Sequence, residues 1–215
     1  MLQIANAETG ETEKMSKSLN NFLLLHEVLE QVRPAALRML MLQSHYRSPL
    51  VFGEQRVAEA DAALTRIENA VKALDWLLET GTPRGEAALE PETAAEALRH
   101  VDAAALFDRV AVLRDGFTEA MDDDFNAPAA LGEIFSLVSD VNALVADAKT
   151  LAAEEAAAVR AARDAIVELM DVLGIDVAAA EVGEAYPVEV VALAADLAGY
   201  DGDDPEIAVA RLLET

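Results

Sequence analysis

The sequence predicts a mainly α protein: an antiparallel helical bundle preceded by a short irregular region. Three observations carry this. Hydrophobic residues make up 53% of the 215 positions and aromatics only 5%, because alanine and leucine dominate, which is helix rather than strand composition. From Glu54 onward, apolar residues recur at the alternating spacings of a helix with one buried face. Strong breakers close the runs at Gly81-Thr82-Pro83, at the Asp122-Asp123-Asp124 to Pro128 stretch and at Gly174.

In chain order, residues 1–5 alternate weakly and read as a strand, and residues 7–13, with Thr9-Gly10, as a turn. Lys14-Met15-Ser16-Lys17-Ser18 is a polar loop, followed by an apolar helix start at Phe22-Leu23-Leu24-Leu25. Residues 22–31 and 34–43 should form two short helices, the second opened by Pro34 and carrying Leu37, Leu40 and Met41 on one side. Residues 45–52 should be extended, because Pro49 blocks a helix. His45 and Arg47 are expected to anchor this stretch by hydrogen bonds rather than to do chemistry.

A long helix should then run from Glu54 to Gly81, burying Val57, Ala60, Leu64, Ile67, Val71, Leu74 and Leu78. Residues 82–92 read as a loop and 92–100 as a short helix. The next long helix places Leu106, Val110, Leu113, Phe117 and Met121 on one face and stops at the aspartates. Three adjacent carboxylates point different ways on any regular backbone, so a helix junction is expected there rather than a metal site. Asn126 should cap the following helix, with Pro128 in its first turn and the carboxylates near its positive end. That helix should bury Leu131, Ile134, Phe135, Val138 and Val145. Residues 153–173 should bury Val159, Ile166, Leu169 and Leu173 and stop at Gly174. Four such helices with alanine-rich faces pack closely, and short connections make neighbours antiparallel. Residues 186–197 and 206–213 read as further helices around a turn at 201–205, which lacks the spaced ligands of a calcium loop.

The net charge of −24 is unevenly spread: residues 1–50 hold five basic and five acidic side chains, the other 165 hold 11 and 35. The lysine loop is therefore spared, while the bundle presents an acidic surface that disfavours non-specific contact with phosphates. With no cysteine, disulfides and thiol-ligated metals are excluded. No stretch is expected to approach the length of a membrane span, and a soluble, cytoplasmic protein is expected.

Two ammonium groups separated by two residues on a mobile loop can close around a polyphosphate as charge develops on it. Lys14-Met15-Ser16-Lys17-Ser18, placed before a helix, resembles the signature loop of the class I aminoacyl-tRNA synthetases in all five positions. His45-Tyr46-Arg47-Ser48-Pro49-Leu50 and Met121-Asp122-Asp123-Asp124-Phe125-Asn126-Ala127-Pro128-Ala129-Ala130-Leu131 resemble the cysteinyl-tRNA synthetases, and the three stretches stand in that family's order. Asn20 departs from the glycine usual after the Ser-Leu, yet tolerates a left-handed backbone.

The resemblance implies a fragment in three parts: residues 1–52, the end of a catalytic domain with its lysine loop and stem-contact region; residues 53–175, a helical tRNA and anticodon-side domain; and residues 176–215, a truncated helical extension. It implies Lys14 and Lys17 as catalytic, with Lys14, Met15, Ser16, Lys17 and Ser18 binding ATP phosphates and Lys17 the most direct. ATP with magnesium, cysteine and tRNA(Cys) would be the whole enzyme's partners, with zinc bound outside this chain, no DNA or membrane partner, and a monomeric state. The fragment alone is expected to be inactive, lacking adenine, cysteine and zinc sites. A non-catalytic helical binding module, or a fragment of the related ligase joining cysteine to an amino-sugar inositol, are the alternatives. The intact lysine loop argues against the first, and the long bundle with its aspartate stretch against the second.

Overall fold

The computed structural model describes residues 2–5, 12–15, 24–83, 100–146 and 148–178. The chain divides into two compact units, Met1–Ala178 and Ala179–Thr215, and all described residues belong to the first. The helices expected over 92–100, 186–197 and 206–213, and loop residues 16–18, lie outside the described residues.

Four long helices form the body: α3 (Glu54–Thr80), α4 (Ala103–Asp122), α5 (Ala127–Val145) and α6 (Ala153–Val172), preceded by α1 (Leu25–Leu29) and α2 (Pro34–Leu42). Their ends follow the expected chemistry. Asp102 and Asn126 cap α4 and α5 by accepting the backbone N–H of Ala105 and Ala129. Helix α6 ends in a left-handed Gly174 with φ of +72°, where Gly174 N–H donates to Asp171 and Ile175 N–H to Met170. That pattern satisfies the last carbonyls, and buried Ile175 closes over Met170.

One core joins the helices. Leu64, Ile67 and Leu74 of α3, Leu106 and Leu113 of α4, Ile134 and Leu137 of α5, and Ile166 and Met170 of α6 are all buried in it. Each such side chain contributes about 1.5–3 kcal/mol by leaving water. Alanines 158, 162 and 165 of α6 are fully buried, so its neighbours approach its backbone closely. Helices α4 and α5 run antiparallel: the chain reverses between Asp122 and Ala127, Gly116 lies against Glu133, and farther on Arg109 pairs with Asp140. Helices α3 and α6 do likewise, since Gly81 meets Leu151 just before α6 and Asp75 meets Arg163 further along it.

Helix α5 corrects one expectation: its 19 residues have a mean hydropathy of 1.3, so by length and composition it matches a membrane span. Its buried residues Ala130, Leu131, Ile134, Leu137, Val138 and Val141 belong to the bundle core, and its Asp140 pairs with Arg109 of α4.

The region before the bundle also departs from expectation. Strand β1 (Leu2–Ala5) pairs antiparallel with β2 (Thr12–Lys14) and parallel with β3 (Leu50–Phe52). Lys14 thus ends a strand instead of standing in a free loop, and Thr12 and Glu13 belong to that strand rather than to a turn. Residues 45–48 form a turn closed by Ser48 N–H donating to His45, so only the last three residues of the stretch expected to be extended form a strand. Short strands Thr82–Pro83 (β4) and Thr150–Leu151 (β5) pair in parallel.

Arg33, the N-cap of α2, fastens that helix to α3. Its Nη1 donates to Glu68 Oε1 at 3.0 Å, and its Nε and Nη2 donate to Asp61 at 2.9 and 2.7 Å. Glu68 is buried, so the guanidinium supplies the counter-charge its carboxylate needs.

Candidate functional site

Of the lysine loop, Lys14 closes β2 and Met15 is partly buried. The register fixes the root of the loop: Gln3 of β1 stands opposite both Lys14 of β2 and Val51 of β3. Lys14, Gln3 and Val51 therefore lie in one line across the sheet, with strands about 4.8 Å apart.

The other two stretches singled out in the sequence meet each other. Helix α4 ends in a tight reversal in which Asp124 and Phe125 both take left-handed conformations, with φ of 57° and 53°. Such backbone is uncommon for aspartate and an outlier for phenylalanine, and it persists only where surroundings hold it. Here it aims the Asp124 carboxylate at the turn after α2. Tyr46 Oη donates to Asp124 Oδ1 at 2.6 Å, Arg47 Nη2 donates to the same oxygen at 2.8 Å, and Arg47 Nε lies 2.7 Å from Oδ2. His45 Nε2 is 3.8 Å from Oδ2. Within the turn, Arg47 N–H donates to His45 Nδ1, the His45 and Tyr46 rings stack at 4.8 Å, and the Arg47 guanidinium lies over the Tyr46 ring.

The charges respond accordingly. Hydrogen bonds from Tyr46 and then Arg47 hold the Asp124 carboxyl below the usual aspartate range. The Tyr46 phenol is pushed up, chiefly because it donates to Asp124, and the Arg47 guanidinium is raised by the same carboxylate. His45 and Arg47 do anchor the turn by hydrogen bonds, as expected, Arg47 Nε donating to Tyr46 Oη at 2.9 Å; the Arg47 side chain also reaches across to Asp124 of the bundle. The aspartate run is a helix junction with Asn126 as cap, as expected, and its third member also carries this clasp.

Beside the clasp lies an open groove of about 540 Å³ lined by Met41, Leu42, Ser44, Tyr46, Met121, Phe125, Ala127, Val172 and Leu173. Phe125 is 68% exposed there.

Three exposed arginines of the bundle are engaged by acids: Arg56 with Glu59, Arg109 with Asp140 and Arg114 with Glu168. Arg66 lies over the Phe135 ring and lines a shallow hollow with Thr65, Asn69 and Asn142. Sequence reasoning missed Arg33 and Arg163, whose acidic partners sit on other helices. Among the described residues, no group of three or more His, Cys, Asp or Glu is placed to hold a metal ion, and the chain has no cysteine to supply a thiolate ligand.

Comparison with known proteins matches residues 7–62 to the family described as tRNA synthetases class I (C) catalytic domain, and residues 116–178 to the DALR domain. The chain is 42% identical over 164 residues to a cysteine–tRNA ligase of Trichlorobacter lovleyi, covering 76% of this chain and 31% of that protein. Similar ligases of Geotalea uraniireducens and Syntrophobacter fumaroxidans are 40% identical over 164 residues and 39% over 165, each match covering 76% of this chain and 32% of the relative. The chain thus spans about a third of the length of these relatives. The matches are too long to stop within either matched domain, so they run through the helices between them. With both domains present in this order, the chain is a segment of the cysteinyl-tRNA synthetase family.

Proposed function

We propose that this chain is the part of a cysteine–tRNA ligase that supplies the lysine loop for ATP and a helical domain on which tRNA(Cys) docks. The observations that carry the reading are the class I catalytic-domain match over residues 7–62, which includes Lys-Met-Ser-Lys-Ser, and the 164-residue similarity to cysteine–tRNA ligases, which is long enough to extend through the bundle.

In the whole enzyme, the carboxylate of cysteine attacks the α-phosphate of magnesium-bound ATP. A P–O bond forms to the cysteinyl group, the bond to the β-phosphate oxygen breaks, and pyrophosphate leaves. The cysteinyl group then passes to the 3′ end of the tRNA, releasing AMP. Lys17 binds the phosphates most directly and Lys14 assists from the end of β2, stabilising negative charge as it develops on the leaving pyrophosphate. Met15 anchors the loop, and Ser16 and Ser18 shape it or donate hydroxyl bonds. The rest of the catalytic chemistry, including any zinc, belongs to parts of the enzyme outside this chain, and the chain alone does not ligate. The reading implies a cytoplasmic translation enzyme acting as a monomer.

A filter-binding titration of the 215-residue chain against tRNA(Cys) and a non-cognate tRNA tests the docking role. Selective binding of tRNA(Cys) at low salt, weakening as salt rises, is expected, because cationic contacts to phosphates release counterions. Equal affinity for both RNAs would remove the docking role from the bundle.

A further inference from the structure

The sheet that roots the lysine loop meets the bundle through β3, whose Leu50 and Phe52 pack, partly buried, against the core. Helix α2 is locked onto α3 by Arg33, but the sheet lies beyond α2, reached through the turn at residues 45–49. Strand β3 then passes into α3 through the single residue Gly53. One residue between a strand and a helix leaves the angle of the strand to side-chain contacts, and the apolar packing of Leu50 and Phe52 is non-directional. The directional contact is the clasp of Asp124 on Tyr46 and Arg47, three residues before β3 begins.

We propose that Asp124 is a positioning residue: by holding Arg47 and Tyr46 it sets β3 on the bundle and, through the Val51–Gln3–Lys14 line of the sheet, fixes where the lysine loop starts. Three features support this. The clasp engages both carboxylate oxygens, so it fixes direction as well as distance. Consecutive left-handed residues at 124 and 125 hold the carboxylate out from the helix end. The path from Arg47 to Lys14 runs through paired backbone, a short turn and then two ladder steps. The junction at residues 123–126 joins two core helices of the bundle.

The proposal rests on the phosphate-loop reading for its consequence, whereas its geometry is tested separately. Hydrogen exchange is followed by mass spectrometry in the full chain, for the wild type, Asp124→Asn, Arg47→Ala, the double variant and Asp122→Asn. Asparagine tolerates the left-handed backbone, so the junction keeps its shape while the charge is lost. The expected result is exchange about twofold to fivefold faster at residues 2–5 and 12–14 in both single variants, the factor an exposed ion pair carries. The double variant should be no faster than Arg47→Ala, the interiors of α4, α5 and α6 should be unchanged, and Asp122→Asn should match the wild type. Acceleration confined to residues 44–49, additive effects in the double variant, or equal loosening by Asp122→Asn would each overturn the proposal.

A second arm adds magnesium pyrophosphate and reads protection at residues 14–18. If the wild type is protected, Asp124→Asn should weaken that protection, and undiminished protection would count against the proposal. If the wild type is not protected, the phosphate-loop reading fails, while strand exchange still decides the positioning role.

Discussion

Arg47 and Asp124 stand 77 positions apart in sequence, yet the guanidinium Nη2 donates to the carboxylate at 2.8 Å. This contact joins the turn after α2 to the reversal between α4 and α5, so the segment leading into the sheet and the helical bundle meet through it.

The clasp has a pH signature. Because the Asp124 carboxyl is held below the usual aspartate range, first by Tyr46 and then by Arg47, its contribution is fully present above the unfolded-state value and is lost as pH falls through the lower folded one. A carboxyl-carbon NMR titration should therefore give Asp124 a midpoint below that of an ordinary aspartate. Tyr46→Phe should move it up towards the ordinary value, and an unchanged midpoint would show that the phenol does not hold the charge.

Arg33→Ala should destabilise the bundle by about 1–3 kcal/mol in urea unfolding, because it leaves the buried Glu68 carboxylate without its guanidinium. Glu68→Gln should cost less, since it removes the charge that needs compensation.

Ala162→Leu should cost about 1–3 kcal/mol, because Ala162 is fully buried between helices and a larger side chain forces backbones apart. A stability equal to wild type would mean that α6 packs more loosely than its alanine face implies.

Gly174→Ala should cost about 1–2 kcal/mol, since φ is +72° and an added Cβ would lie 2.7 Å from the Arg38 guanidinium carbon. Thermal unfolding should show a lower midpoint, and Gly174→Asn should be milder because asparagine tolerates this conformation better.

Much of the bundle was legible in the sequence because helix period and caps are local signals. Helix α3 begins at Glu54 as expected, and Asn126, Pro128 and Gly174 mark real helix ends. The faces were read too narrowly. Leu77 is buried and Leu78 only partly, and Leu137 and Val141 join the core while Phe135 and Val145 sit at its edge. A helix packed against several neighbours buries more than one stripe, which a single-face pattern misses. The sheet was largely invisible because strands of three or four residues carry almost no period, and the pairing of residues 2–4 with 50–52 is long-range. The sequence marked both motif stretches but not their meeting, since three consecutive aspartates do not reveal which one takes the left-handed backbone.

The most direct measurement of the central claim replaces the matching segment of the Trichlorobacter lovleyi cysteine–tRNA ligase with this chain and follows amino-acid-dependent ATP–pyrophosphate exchange. Exchange is expected with cysteine and not serine, falling about a hundredfold or more in Lys17→Ala. A folded chimera that shows no cysteine-dependent exchange, or whose exchange is indifferent to Lys17, would contradict that claim.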